Sequence, residues 1–269
     1  MAEYVNQLYR KAIITRSLGI IEKHDSRHFK VSKIYNENVE AKGVFSTSLY
    51  GNDENKNMYN RYFKPLIKNI AILKKIFPKW VYRVYLDPRI SIKNRRKLIN
   101  TGCEVCIMNQ PSEGHEGSMW RFLPAGEDKP FISMDADDVV NPDDKYCYDT
   151  YWTYFINSWL RSNKTFFQHK LPIVNATTIP LTAKYWGGKP YCIPNIHHLI
   201  NRYCQTWYAA DEAFLCKKVW PIVKEDVYRT PNHIYEKMFY LIICIIIIFL
   251  IGLGLYKIGY INRLYDTCF

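Results

Sequence analysis

The apolar pattern between Gly43 and Met108 alternates between strand and helix through five successive elements, and this alternation constrains the fold more than any other feature. Gly43-Val44-Phe45-Ser46-Thr47-Ser48-Leu49-Tyr50 is β-branched and aromatic and breaks at Gly51-Asn52-Asp53, which predicts a strand and a turn. From Tyr59 to Phe77, apolar residues recur at helical spacing (Phe63, Leu66, Ile67, Ile70, Leu73, Phe77), and Pro78 stops the helix. Trp80 to Leu86 predicts a second strand, ended by Asp87-Pro88. Ser91 is placed to cap a short helix through Ile99, Gly102 lies just beyond it, and Cys103 to Met108 predicts a third strand. A β-α-β-α-β run of this kind implies a mostly parallel sheet with helices on both faces. Residues 1–42, with mixed pattern and weak turn signals, read as a peripheral arm.

A loop from Asn109 to Gly117 and a short helical stretch, Ser118 to Leu123, lead to a fourth apolar strand, Pro130 to Met134, which runs into Asp135-Ala136-Asp137-Asp138. Ligand sites of open α/β sheets lie off the carboxyl ends of the strands. Carboxylates gathered there repel one another unless a cation offsets the charge. In an extended segment Asp135 and Asp137 share a face, and two hard oxygen ligands suit Mg²⁺ or Mn²⁺. The other reading of the same residues is a solvated turn whose aspartates cap the next segment, to which Asn141-Pro142-Asp143-Asp144 is suited.

Composition narrows the partners. The net charge is +12, which suits an anionic lipid surface, a sulfated polysaccharide, a nucleic acid or a phosphorylated donor. The lysines and arginines are spread from Arg10 to Arg229 rather than concentrated, so a generally basic surface is expected, and nucleic acid, with net charge alone behind it, is not an expected partner. Cys103 and Cys106 form one C-x-x-C, yet no second pair stands at zinc spacing, so they read as strand residues. Between Lys237 and Lys257 no residue is charged, and Met238 to Tyr256 would span about 28 Å as a helix, the thickness of a bilayer's hydrocarbon layer. This predicts a single transmembrane helix at 238–256 with a short tail, 257–269. The N-terminus carries no signal-peptide pattern, so the expectation is tail anchoring with the domain in the cytosol. On that topology the sequons at Asn163 and Asn175 stay unmodified.

His115-Glu116-Gly117-Ser118-Met119-Trp120-Arg121-Phe122-Leu123-Pro124-Ala125, followed by the strand and Asp135-Ala136-Asp137, resembles a group of small bacterial and viral glycosyltransferase-like proteins of the GT-A fold, in which an E-G-x-x-W-R-F motif precedes a D-A-D of the D-x-D type. Ser48-Leu49-Tyr50-Gly51, Tyr185-Trp186-Gly187-Gly188, and Asp211-Glu212-Ala213-Phe214-Leu215 with Val219-Trp220-Pro221 are similar to further motifs of that group, in the same order. The resemblance implies a GT-A-like domain over residues 43–232. It implies transfer of a sugar from a nucleotide-sugar donor to a carbohydrate or glycoconjugate acceptor. Asp135 and Asp137 would hold Mn²⁺ or Mg²⁺, with His233 as a third ligand. Tyr50, Gly51, Trp120, Arg121, Asp138, Gly187 and Gly188 would lie along the donor, and Asp211 or Glu212 would take the acceptor's proton. The alternative is a membrane protein that keeps the GT-A-like fold, has lost catalysis, and binds glycosaminoglycans or a partner in the manner of viral envelope attachment proteins. Richness in Ile, Lys, Asn and Tyr points to an AT-rich genome, and with the anchor to a large DNA virus, where the membrane is a host endomembrane or that of the virion.

Overall fold

A computed structural model describes residues 27–53, 56–138, 153–169, 181–203 and 205–229, and these form a mixed α/β domain. One eight-stranded sheet has the order β1-β4-β3-β2-β5-β7-β6-β8. The strands are β1 (Val31–Tyr35), β2 (Val44–Leu49), β3 (Val81–Leu86), β4 (Glu104–Met108), β5 (Phe131–Ser133), β6 (Phe166–Gln168), β7 (Trp186–Gly188) and β8 (Val227–Arg229). The strands β4, β3, β2 and β5 are parallel, as the alternation requires. Every residue of β2 and β3 is buried, the mark of strands covered on both faces.

The sheet is more mixed than expected. β1 lies within the stretch read as a peripheral arm and pairs antiparallel with β4, closing that edge. On the other side, β7 runs antiparallel to both β5 and β6, and β8 returns parallel to β6. The apolar run Met238–Tyr256 and His233 lie outside the described residues. Among the described residues no helix is long and apolar enough to cross a membrane.

Three local features set the site. The first long helix, α1 (Lys64–Ile76), buries Leu66, Asn69, Ile70 and Leu73 along one face and is preceded by a π-helical turn, Tyr59–Phe63. Helix α2 (Ile92–Asn100) is capped by Ser91, whose hydroxyl accepts from the Asn94 amide at 3.4 Å. Asp53 locks this cap: it accepts from the Ser91 amide at 3.0 Å, the Ser91 hydroxyl at 2.8 Å and the Asn94 amide group at 2.7 Å. The stretch expected as a short helix is a longer 3-10 segment, Glu116–Gly126, with Glu116 through Ala125 buried against β2 and the neighbouring strands. Pro124 within it has no amide hydrogen to donate to a regular α-helical ladder.

Candidate functional site

The strand order places a topological switch point between β2 and β5. From β2 the chain adds β3 and then β4 on one side, and β5 on the other. A crevice must open where two neighbouring strands send their connections opposite ways, and ligands of open α/β sheets bind there. A cavity of ≈ 390 Å³ occupies that place. The end of β2 supplies Ser48, Leu49 and Tyr50, and the segment after β5 supplies Asp135, Ala136 and Asp137. Arg61 and Tyr62 reach it from the π-helical turn, Ser118 and Arg121 from the 3-10 segment, Lys184 from the approach to β7, and Asp211 and Glu212 from helix Ala210–Phe214.

Its electrostatics are those of paired charges. Arg121, only 6% exposed, donates to Asp135 and, at 2.5 Å, to Asp211 Oδ2, so one buried guanidinium ties the end of β5 to the helix Ala210–Phe214. Burial opposes its charge, yet Asp135 and Asp211 hold the guanidinium firmly protonated, above its ordinary value. Arg61 lies 3.4 Å from Asp137 on an exposed edge, and Lys184 pairs with Asp138. Burial, with the Asp135 charge beside it, pushes the Asp138 carboxyl up to about 6 against the pull of Lys184.

Asp87 holds the floor of the loops. Fully buried, it accepts from the amides of Gly51 (3.3 Å), Arg89 (2.8 Å) and Ser112 (2.9 Å) and from the Arg89 guanidinium. Although burial acts the other way, these bonds keep it below the usual carboxylate range. Gly51 takes φ +94, a turn conformation that glycine adopts without strain, and so carries the chain from β2 towards Asp87.

Of the residues expected at a donor site, Tyr50, Arg121, Asp135, Asp137, Asp211 and Glu212 line the cavity together. Others do not. Trp120 is wholly buried in the core, edge-on to Phe29 at 5.3 Å, so its ring faces protein rather than a ligand. Asp138 turns inward to Lys184. Gly187 and Gly188 form β7 instead of a loop under a sugar. A Cβ on Gly187 would strike the Phe131 carbonyl oxygen and one on Gly188 the Cys192 sulfur, so close strand packing demands both glycines. Asp211 sits inside the first helical turn, salt-bridged to Arg121. His197 and His198 belong to helix Ile196–Tyr203, and Cys103 and Cys106 are buried free thiols at β4.

Arg61, Tyr62, His115, Lys184 and Tyr208 also line the cavity and carry no signal that periodicity or motif spacing isolates. His115 alone was within reach, as the first residue of the His115-Glu116-Gly117 run. Among the described residues no group of three or more His, Cys, Asp or Glu converges as a metal site. Asp135 and Asp137 still fit a hard divalent ion as a two-carboxylate set. Their side chains are 32% and 33% exposed in the cavity, and each meets its arginine through only one oxygen. Magnesium-type sites commonly use one or two carboxylates and leave the other positions to water and phosphate.

No protein-family model matches the chain, and no curated protein matches it. Among solved structures, one with some similarity is the mannosyltransferase Ktr4p from S. cerevisiae, 11% identical over 86% of this chain and 79% of that one, with a TM-score of 0.32.

Proposed function

We propose that the domain is a glycosyltransferase that moves a sugar from a nucleotide-sugar donor to a carbohydrate or glycoconjugate acceptor at a membrane surface. The observation that carries this reading is the cavity at the β2/β5 switch point, where Asp135, Asp137, Asp211 and Glu212 face Arg61, Arg121 and Lys184. Carboxylates suit sugar hydroxyls and a divalent ion, cations suit a diphosphate, and this cavity offers both. The motif resemblance, carried by runs from Ser48 to Pro221, points the same way.

In this reading Asp135 and Asp137 would hold Mn²⁺ or Mg²⁺, which would supply positive charge against a departing diphosphate. Arg61, on an exposed turn, is placed to meet phosphate oxygens. Tyr62 and the exposed ring of Tyr208 offer flat faces to a base or sugar. Arg121 fixes Asp135 relative to Asp211, and Glu212 is placed to bind donor hydroxyls.

One observation favours the second reading, a domain that binds polysaccharide without catalysis: Asp135, Asp137 and Asp138 are each matched by a protein cation. The test is a thermal melt of the full-length protein with Mn²⁺ and a panel of nucleoside diphosphates. Binding at a hundredfold excess over Kd should stabilise it by about 2.7 kcal/mol, and Asp135→Asn or Asp137→Asn should abolish the gain. No shift in the wild type with any nucleotide refutes the donor site. Salt-sensitive heparin binding that survives Asp135→Asn would then support the second reading.

A further inference from the structure

Asp211 stands where a proton acceptor is expected, but both of its oxygens are engaged. Oδ2 accepts from Arg121 at 2.5 Å and Oδ1 from the Glu212 amide at 3.0 Å. Both oxygens being so engaged, Asp211 is held as the hydrogen-bonded partner of Arg121. The cavity wall holds another group of suitable chemistry, His115.

The chain around His115 is built to place it. Its amide donates to the Thr206 carbonyl at 2.9 Å, and Gly114 before it takes φ +52, in the left-handed region that favours glycine. Two residues on, Gly117 makes room for Tyr50: a Cβ there would lie 2.7 Å from the Tyr50 ring. Glu116 between them is buried, accepts from the Glu113 amide at 2.7 Å and pairs with Arg27. The result is Tyr50 Oη 3.2 Å from His115 Nδ1, both rings on the cavity wall, with Tyr208 edge-on to the imidazole at 5.2 Å. Among the described residues the groups meeting the imidazole are the phenols of Tyr50 and Tyr208, while the carboxylates of its own loop, Glu113 and Glu116, pair with Arg27. Behind Tyr50, burial and then the Asp211 charge keep the phenol protonated, well above its ordinary value, so it passes a proton on rather than ionising. An imidazole can accept a proton on one ring nitrogen and release one from the other, as a relay needs.

Resting on the transfer reading above, we propose that Tyr50 and His115 form the relay that takes the acceptor's proton. The acceptor oxygen bonds to the sugar's anomeric carbon as the bond from that carbon to the phosphate oxygen breaks, its electron pair leaving on the nucleoside diphosphate. The hydroxyl proton passes to Tyr50 Oη, whose own proton passes to His115 Nδ1. This step uses the imidazole tautomer that carries its hydrogen on Nε2, and the imidazolium then loses a proton to solvent.

The experiment measures nucleoside diphosphate release from a panel of nucleotide sugars by the full-length protein in detergent with Mn²⁺, from about pH 5 to about pH 9. Nucleoside diphosphate binding by thermal shift runs alongside. His115→Gln should keep nucleotide binding, slow release by ~100-fold or more, and lose the near-neutral limb of the pH profile. Imidazole added to His115→Ala should restore part of the rate, which a merely structural role could not explain. Tyr50→Phe should slow release at least ~10-fold with binding retained. Glu212→Gln should lower the rate but keep the limb. A His115→Gln rate and profile close to wild type, or a limb that vanishes with Glu212→Gln instead, overturns the relay and leaves the transfer reading standing. A wild type that binds nucleotide without releasing it from any donor overturns the relay and favours a binding protein. A wild type that does neither refutes both.

Discussion

Arg121→Met removes one guanidinium and strands two carboxylates. Arg121 is 6% exposed and donates to Asp135 and Asp211, whose side chains are 32% and 11% exposed. Breaking a buried ion pair from one side costs about 3–5 kcal/mol. Asp135 can recover some hydration, so the lower end of that range, ~3 kcal/mol, is the expected loss at pH 7. For a domain of this size that is a fall of roughly 6–12 °C in Tm. The loss should depend on pH in a set direction. Without Arg121 the two carboxylates face each other with no guanidinium between them, and acid removes that charge. The variant's deficit should therefore shrink as the pH falls. Arg121→Lys keeps the charge and should recover part of the loss, although one ammonium cannot reproduce the two-sided fork. Denaturant melts of wild type and both variants at about pH 7 and about pH 4.5 decide the matter. A deficit under ~1 kcal/mol at pH 7, or one that does not change with pH, refutes the bridge as the organiser of the site.

Asp138→Asn should leave stability near pH 4 unchanged and raise it at pH 7 by ~2 kcal/mol, because a carboxyl pushed up to about 6 weakens the fold as pH rises from its unfolded value through 6; equal stability of the two proteins by chemical melt at both pH values would contradict this. Gly187→Ala should destabilise by several kcal/mol through the clash with the Phe131 carbonyl oxygen, and the near-ultraviolet signal of the buried Trp186 beside it reports the damage; a Tm within a degree or so of wild type would remove close packing as the reason for this glycine. A domain on the cytosolic face of a membrane would be digested by protease added to intact microsomes, whereas a protected domain, or glycans on Asn163 or Asn175, would place it on the other side.

Local pattern was enough for β2, β3 and β4, the longer strands of the parallel half, and for the apolar run from Pro130 to Met134 that contains β5. β2, β3 and β4 stand where the alternation puts them, and β5 delivers its aspartates to the cavity from an apolar strand end. These features are written in neighbouring residues, because burial on both faces, a cap or a proline stop is decided within a few positions. The strands β6, β7 and β8 are three residues each, too short to show any period, and β1 is exposed on much of its surface, so its edge pairing leaves little apolar signature. Two glycines in β7 read alone as a turn; only the neighbouring strands show that they are there for want of room. The charges follow the same division. The sequence alone shows a carboxylate cluster that needs a cation, and it offers a metal as one answer. The tertiary structure supplies protein partners, Arg121 from 14 residues before Asp135, Arg61 from 76 residues before Asp137 and Lys184 from 46 residues after Asp138. A pairing of that kind depends on which loops meet at the switch point of the sheet, and no local spacing of residues encodes it.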